Sequence, residues 1–109
     1  MKLNWVTLKV SDLEKSMRFY TELLPLQVAT KIGTDDHQIV FLGKDDSAKV
    51  ELIYEKGGNV ENAGKGVSVG LECDNLDQLV DKLKVNNLNV TGPISPNAHI
   101  RFFFVQDSD

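Results

Sequence analysis

The sequence predicts an α+β fold of two βαβββ units in one domain, with the last strand of the second unit absent. Two stretches match at an offset of 63 residues, Val6–Tyr20 (VTLKVSDLEKSMRFY) and Val69–Leu83 (VGLECDNLDQLVDKL). Val6 lies over Val69, Leu8 over Leu71, Leu13 over Leu76 and Glu14 over Asp77. The register persists downstream, with Ile39–Leu42 over Phe102–Val105. In each copy a period-two alternation gives way to a helical period and then returns, the signature of strand, helix and further strands. Repeated units of this size share a core and leave a seam in which a ligand fits. The counterpart of Lys49–Glu55 falls near 112–118, past Asp109.

The elements follow in order. Met1–Val10 alternates, with Leu3, Trp5, Thr7 and Lys9 on one side and Val6, Leu8 and Val10 on the other, and reads as a strand. Ser11-Asp12-Leu13-Glu14 then opens a helix, Ser11 and Glu14 having the spacing of a capping box. Its inner stripe is Leu13, Met17, Tyr20 and Leu24, and Pro25 ends it by biasing the preceding residue away from helix. Strands are expected at Gln27–Ile32, Gln38–Leu42 and Lys49–Glu55, separated by turns at Gly33–Asp36 and Gly43–Ser47. This first unit spans 1–56. A linker covers 57–66, within the glycine-rich EKGGNVENAGKG, and the second, incomplete unit covers 67–109. There Gly66–Cys73 alternates, Val67, Val69, Leu71 and Cys73 opposing Ser68, Gly70 and Glu72. Asp74 or Asn75 caps a helix bearing Leu76, Val80 and Leu83 that ends near Asn86-Asn87. Strands near Asn89–Thr91 and His99–Val105 follow.

Composition narrows the class of function. At 109 residues, 41% hydrophobic and 26% charged, the chain has the make-up of one soluble domain. A net charge of −4 argues against nucleic acid or an anionic membrane as main partner, since both select basic faces. One cysteine rules out an internal disulfide framework and suits a reducing compartment. MKLNWVTLKV has no secretory apolar run, and no segment reaches membrane-spanning length, so a cytoplasmic location is expected.

A βαβββ unit used twice, with DLEKSMRFYTELLPL after the first strand and FVQDSD near the end, resembles the vicinal oxygen chelate superfamily. That group holds glyoxalase I, extradiol dioxygenases, fosfomycin-resistance enzymes and bleomycin-resistance proteins. The most specific parts are Asp12-Leu13-Glu14 with Phe19-Tyr20, and Phe104–Asp109, which is similar to the family's F-x-x-D-P-D-G turn with Ser108 in place of proline. The resemblance implies a curved mixed sheet around a cleft. In metal-dependent members each unit offers a first-strand ligand, usually histidine, and a last-strand ligand, usually glutamate. These positions fall on Trp5, Ser68 and Glu51, with the fourth past Asp109. An indole has no lone pair for a metal and a serine hydroxyl is a weak ligand, so the expectation is no metal and no cofactor.

If residue 5 faces the cleft, alternation adds Thr7 and Lys9, then Ser68, Gly70 and Glu72, then Lys49, Glu51 and Ile53. The candidate ligand-binding residues are Trp5, Thr7, Glu51, Ser68 and Arg101; no catalytic residue is assigned. Trp5 either stacks on a ligand or plugs the space of a metal. Glu51 is a metal ligand, a general base, an amine anchor, or the partner of Lys9 or Lys49 across the sheet. Arg101 either holds a carboxylate in the cavity or lies on its rim. His37 and His99 read as solvated loop histidines with acid–base use as the alternative, Cys73 as an inert core thiol, and Phe102–Phe104 as a buried strand. The leading function is small-molecule binding without a metal. Its rivals are a glyoxalase-type lyase, with ligands from a second subunit or beyond residue 109, and an assembly domain using an open strand edge. That edge, beside Phe102–Val105, predicts a homodimer.

Overall fold

In the computed structural model, which describes residues 1–61 and 64–109, strand β1 (Trp5–Lys9) is followed by helix α1 (Leu13–Met17). Strands β2 (Val28–Thr34), β3 (His37–Leu42) and β4 (Lys49–Glu55) come next. Helix α2 (Leu76–Val85) and strands β5 (Val90–Asn97) and β6 (Ile100–Val105) complete the chain. The first four strands form a mixed sheet in the order β1-β4-β3-β2, with β1 parallel to β4 and the other pairs antiparallel. Strands β5 and β6 pair antiparallel in a second sheet. The chain divides into two compact units, Met1–Ser68 together with Ser108–Asp109, and Val69–Asp107. Residues 62 and 63 of the expected linker lie outside the described residues.

In the first unit α1 is capped by Asp12, whose carboxylate accepts from the Lys15 amide at 3.1 Å. Ser11 does not take that role. Its amide and hydroxyl donate to Asp109 instead, the hydroxyl at 2.5 Å. Beyond Met17 the helix widens into a π-helical stretch, Arg18–Leu23, in which the Leu24 amide donates to the Phe19 carbonyl at 2.8 Å. Two local features favour the wider turn: the Thr21 hydroxyl donates to the Met17 carbonyl at 2.6 Å, and Pro25 has no amide to give Thr21. The buried face of this helical segment carries Ser16, Phe19, Tyr20, Leu23 and Leu24, so the predicted stripe is met at Tyr20 and Leu24, with Leu13 and Met17 only half-buried. Across the sheet the buried apolar residues are Val10, Val40, Leu42, Val50 and Leu52, all on one side of the pleat. Together these two sets form the apolar core of the unit.

The β2–β3 hairpin is tighter than the sequence suggested. Strand pairing continues through Gly33 to Thr34↔His37, leaving only Asp35 and Asp36 in the turn. Gly33 sits at φ +106°, and a Cβ there would lie 2.1 Å from the His37 carbonyl oxygen, so only glycine lets the strands close this early.

In the second unit Asn75 caps α2, accepting from the Gln78 amide at 3.1 Å, and Val80 and Leu83 are buried. Asn87, at φ +64°, turns the chain out of the helix. The alternating stretch 67–73 forms no strand, and Val67, Val69, Leu71 and Cys73 are exposed. This corrects the expected strand and the expected core thiol. In the first unit β1 has β4 as its single neighbour, whereas 67–73 pairs with no strand among the described residues.

Candidate functional site

Register brings three of the predicted residues onto one face of the first unit's sheet. Thr7 on β1 pairs with Glu51 on β4, which pairs with Phe41 on β3, while Trp5 pairs with Lys49. Alternation from these pairs puts Trp5, Thr7, Ile39, Phe41, Glu51 and Ile53 on the side opposite Val50 and Leu52. The Trp5 and Phe41 rings meet edge-on, centroids 5.9 Å apart at 85°. Trp5 nevertheless keeps 51% of its surface exposed, an aromatic plate left open beside the sheet.

Glu51 lies in the middle of this face and is 8% exposed. Its Oε1 accepts a hydrogen bond from the Thr7 hydroxyl at 2.5 Å. The lysine expected to neutralise it is engaged elsewhere. Lys49 Nζ donates to the backbone carbonyls of Asp45 at 3.2 Å and Ser47 at 2.5 Å, holding the loop between β3 and β4. Among the described residues Glu51 has no ion pair, with Lys9, Lys49 or any other cation. The donors this face offers a metal are one carboxylate and one hydroxyl, and no group of three His, Cys, Asp or Glu converges among the described residues. That donor set does not fit a zinc- or nickel-like ion.

The remaining candidates stand outside strands β1 and β4. Ser68 is exposed and belongs to no strand. Arg101 makes a bidentate pair with Asp77, at 2.9 and 2.7 Å, tying β6 to α2. The carboxylate it holds is therefore Asp77's, on the helix side of its sheet. Hydrogen bonds from Arg101 hold the Asp77 carboxyl below the ordinary aspartate range against slight desolvation, and the same pairing raises Arg101. His37 Nδ1 lies 3.2 Å from Glu55 Oε1 across β3 and β4, both side chains half-exposed, and His99 occupies the β5–β6 turn, its amide donating to Asn97 Oδ1.

Alternation on β3 adds Phe41 to the open face. Phe102 and Phe104 stack edge-on at 5.5 Å with Phe104 exposed, which corrects the reading of Phe102–Phe104 as a uniformly buried run. The 63-residue offset lays Ile39 over Phe102 and Phe41 over Phe104, so the repeat itself carried the signal.

Comparison with known proteins gives a consistent result. The model of the Glyoxalase/Bleomycin resistance protein/Dioxygenase superfamily matches residues 2–109. Lactoylglutathione lyase from Salmonella typhimurium is 28% identical over 118 residues, an alignment covering all of this chain and 87% of that protein. Probable lactoylglutathione lyase from Vibrio parahaemolyticus is 30% identical over 112 residues, covering 94% and 80%. Among solved structures, the trypanothione-dependent glyoxalase I of Leishmania major superposes with a TM-score of 0.77 at 25% identity, over all of this chain and 81% of that one. An antibiotic-binding protein from Streptomyces gives 0.75 at 18% identity, over all of this chain and 88% of that one, a likeness of fold.

Proposed function

Since the chain belongs to the glyoxalase/bleomycin resistance protein/dioxygenase superfamily, we propose that it binds a small organic molecule on the open sheet face of its first unit, without a metal. One observation carries this reading: the half-exposed Trp5 ring stands edge-on to Phe41 beside the Thr7–Glu51 hydrogen bond. An exposed aromatic plate with a few placed polar groups is the usual make-up of a small-molecule surface. Trp5 supplies stacking area, and Thr7 and Glu51 supply orientation. Ser68 and Arg101 are not part of that face, Ser68 being exposed outside any strand and Arg101 paired with Asp77. In this reading the chain works as a homodimer, a pairing supported by the exposed apolar run Val67, Val69 and Leu71. The net charge of −4 argues against nucleic acid and an anionic membrane as partners, and no described helix is long and apolar enough to cross a bilayer.

Trp5 is the single tryptophan, so ligand binding is followed directly through its fluorescence. A screen of small aromatic compounds is expected to yield saturable quenching, and calorimetry is expected to show that Trp5→Leu abolishes binding of the same compounds while far-UV circular dichroism stays unchanged. Absence of any saturable quencher would refute the reading.

A second reading is a lactoylglutathione lyase, favoured by the names of the relatives and by Glu51 standing where the family places a ligand. It requires further metal ligands from outside this face. Metal analysis finding one divalent ion per chain held through Glu51, with lactoylglutathione formation abolished by a chelator, would replace the first reading with this one.

A further inference from the structure

We propose that the molecule bound at this face is a planar organic cation carrying an N–H donor, with Glu51 as its counter-ion. The inference rests on the small-molecule reading above and names its ligand class. A carboxylate taken out of water is costly unless it is paired, and a structure keeps one in that state where something completes it. Glu51 is 92% buried, and among the described residues its one hydrogen-bond partner is the Thr7 hydroxyl on Oε1. That neutral hydrogen bond orients the carboxylate without neutralising it. Of the two nearby lysines, Lys49 spends its ammonium on the Asp45 and Ser47 carbonyls, and Lys9 forms no ion pair among the described residues.

The surroundings specify the rest of the ligand. Thr7 fixes Oε1, which leaves Oε2 to accept from an incoming donor. Trp5 is a half-exposed ring on the same side of the pleat, and the face of an indole attracts a cation as well as a flat apolar surface. Phe41 packs T-shaped against it and holds its orientation. A planar cation laid on Trp5, with its N–H directed to Oε2, satisfies the stacking surface and the carboxylate together. A neutral molecule of the same shape satisfies only the first.

The test uses three probes of one shape on the full chain: 2-naphthamidine, a cation with N–H donors; 2-naphthamide, neutral; and 2-naphthoate, an anion. Binding is read by Trp5 fluorescence and by calorimetry. The amidine is expected to bind at least about tenfold more tightly than the amide, with the anion weakest. In Glu51→Gln the amidine-to-amide ratio should fall to about one, since the stacking surface remains and the charge does not. Thr7→Val should weaken amidine binding while leaving a measurable preference. Equal binding of amidine and amide by the wild type would overturn the cation proposal and leave the small-molecule reading standing. A preference that survives Glu51→Gln would overturn the role of Glu51. Failure of all three probes to quench Trp5 would overturn the proposal and count against the reading beneath it.

Discussion

The amide and the hydroxyl of Ser11 both donate to the carboxylate of Asp109, 98 residues further along the chain. Beside them the fully buried Ser16 hydroxyl lies 3.3 Å from that of Ser108. This clasp is why Ser108 and Asp109 group with the first unit although the preceding residues group with the second. Asp109→Asn or Ser11→Ala is expected to lower stability by about 0.5–1.5 kcal/mol, the net worth of a hydrogen bond or two at a solvated site. Urea denaturation measures the loss, and faster amide exchange confined to residues 11–16 would place it at the clasp.

Leu52 should carry a large packing penalty. It is fully buried in the central strand β4, between β1 and β3. Leu52→Ala should cost about 2–5 kcal/mol through lost apolar contact and a residual cavity. Leu52→Met should cost much less, and equal losses for the two variants in denaturant melts would contradict this account of the core.

Acid stability should depend on the Arg101–Asp77 pair. The carboxyl of Asp77 titrates below its ordinary value of 3.8 because Arg101 hydrogen-bonds its charged form. A depressed folded-state value means the stabilisation is present above about pH 4 and is lost as pH falls through the lower, folded value. Asp77→Asn therefore removes a component of stability at neutral pH and flattens the decline below pH 4. An acid limb as steep in Asp77→Asn as in the wild type would show that the pair contributes nothing.

Self-association should report on the segment 67–73. Val69 and Leu71 are exposed here, and burying them between two copies is the proposed reason for the homodimer. Val69→Lys with Leu71→Lys is expected to yield monomer by light scattering at micromolar concentration with unchanged helix content. A wild type that is already a stable monomer at that concentration would defeat the proposal.

How far the sequence revealed this structure depends on where each residue finds its partner. Strand β4 matches its expected limits, Lys49–Glu55, since alternation and the turn residues on its N-terminal side are local signals. Trp5, Thr7 and Glu51 met on one face for the same reason, as period-two alternation survives any choice of neighbour. The helix cap was misplaced because Ser11 and Asp12 are both good caps, and the residue that decided between them is Asp109. Val67–Cys73 alternates as β1 does, but alternation encodes a face and a ladder requires a second strand. Arg101 was open to a firmer assignment: the repeat lays it over Gln38, which shares its side of β3 with the buried Val40 and Leu42.

The parallel pairing of β1 with β4 also sets a schedule. Strands β2, β3 and β4 join neighbours across short connections, whereas Thr7 must wait for Glu51, 44 residues later in synthesis. Closing so long a loop costs chain entropy before any contact repays it. The strand bearing Trp5 is thus expected to be the last zipped into its sheet, which makes the sole indole of the chain a natural clock. Its fluorescence should lag the circular dichroism of the helices during refolding, timing the moment at which the binding face comes into existence.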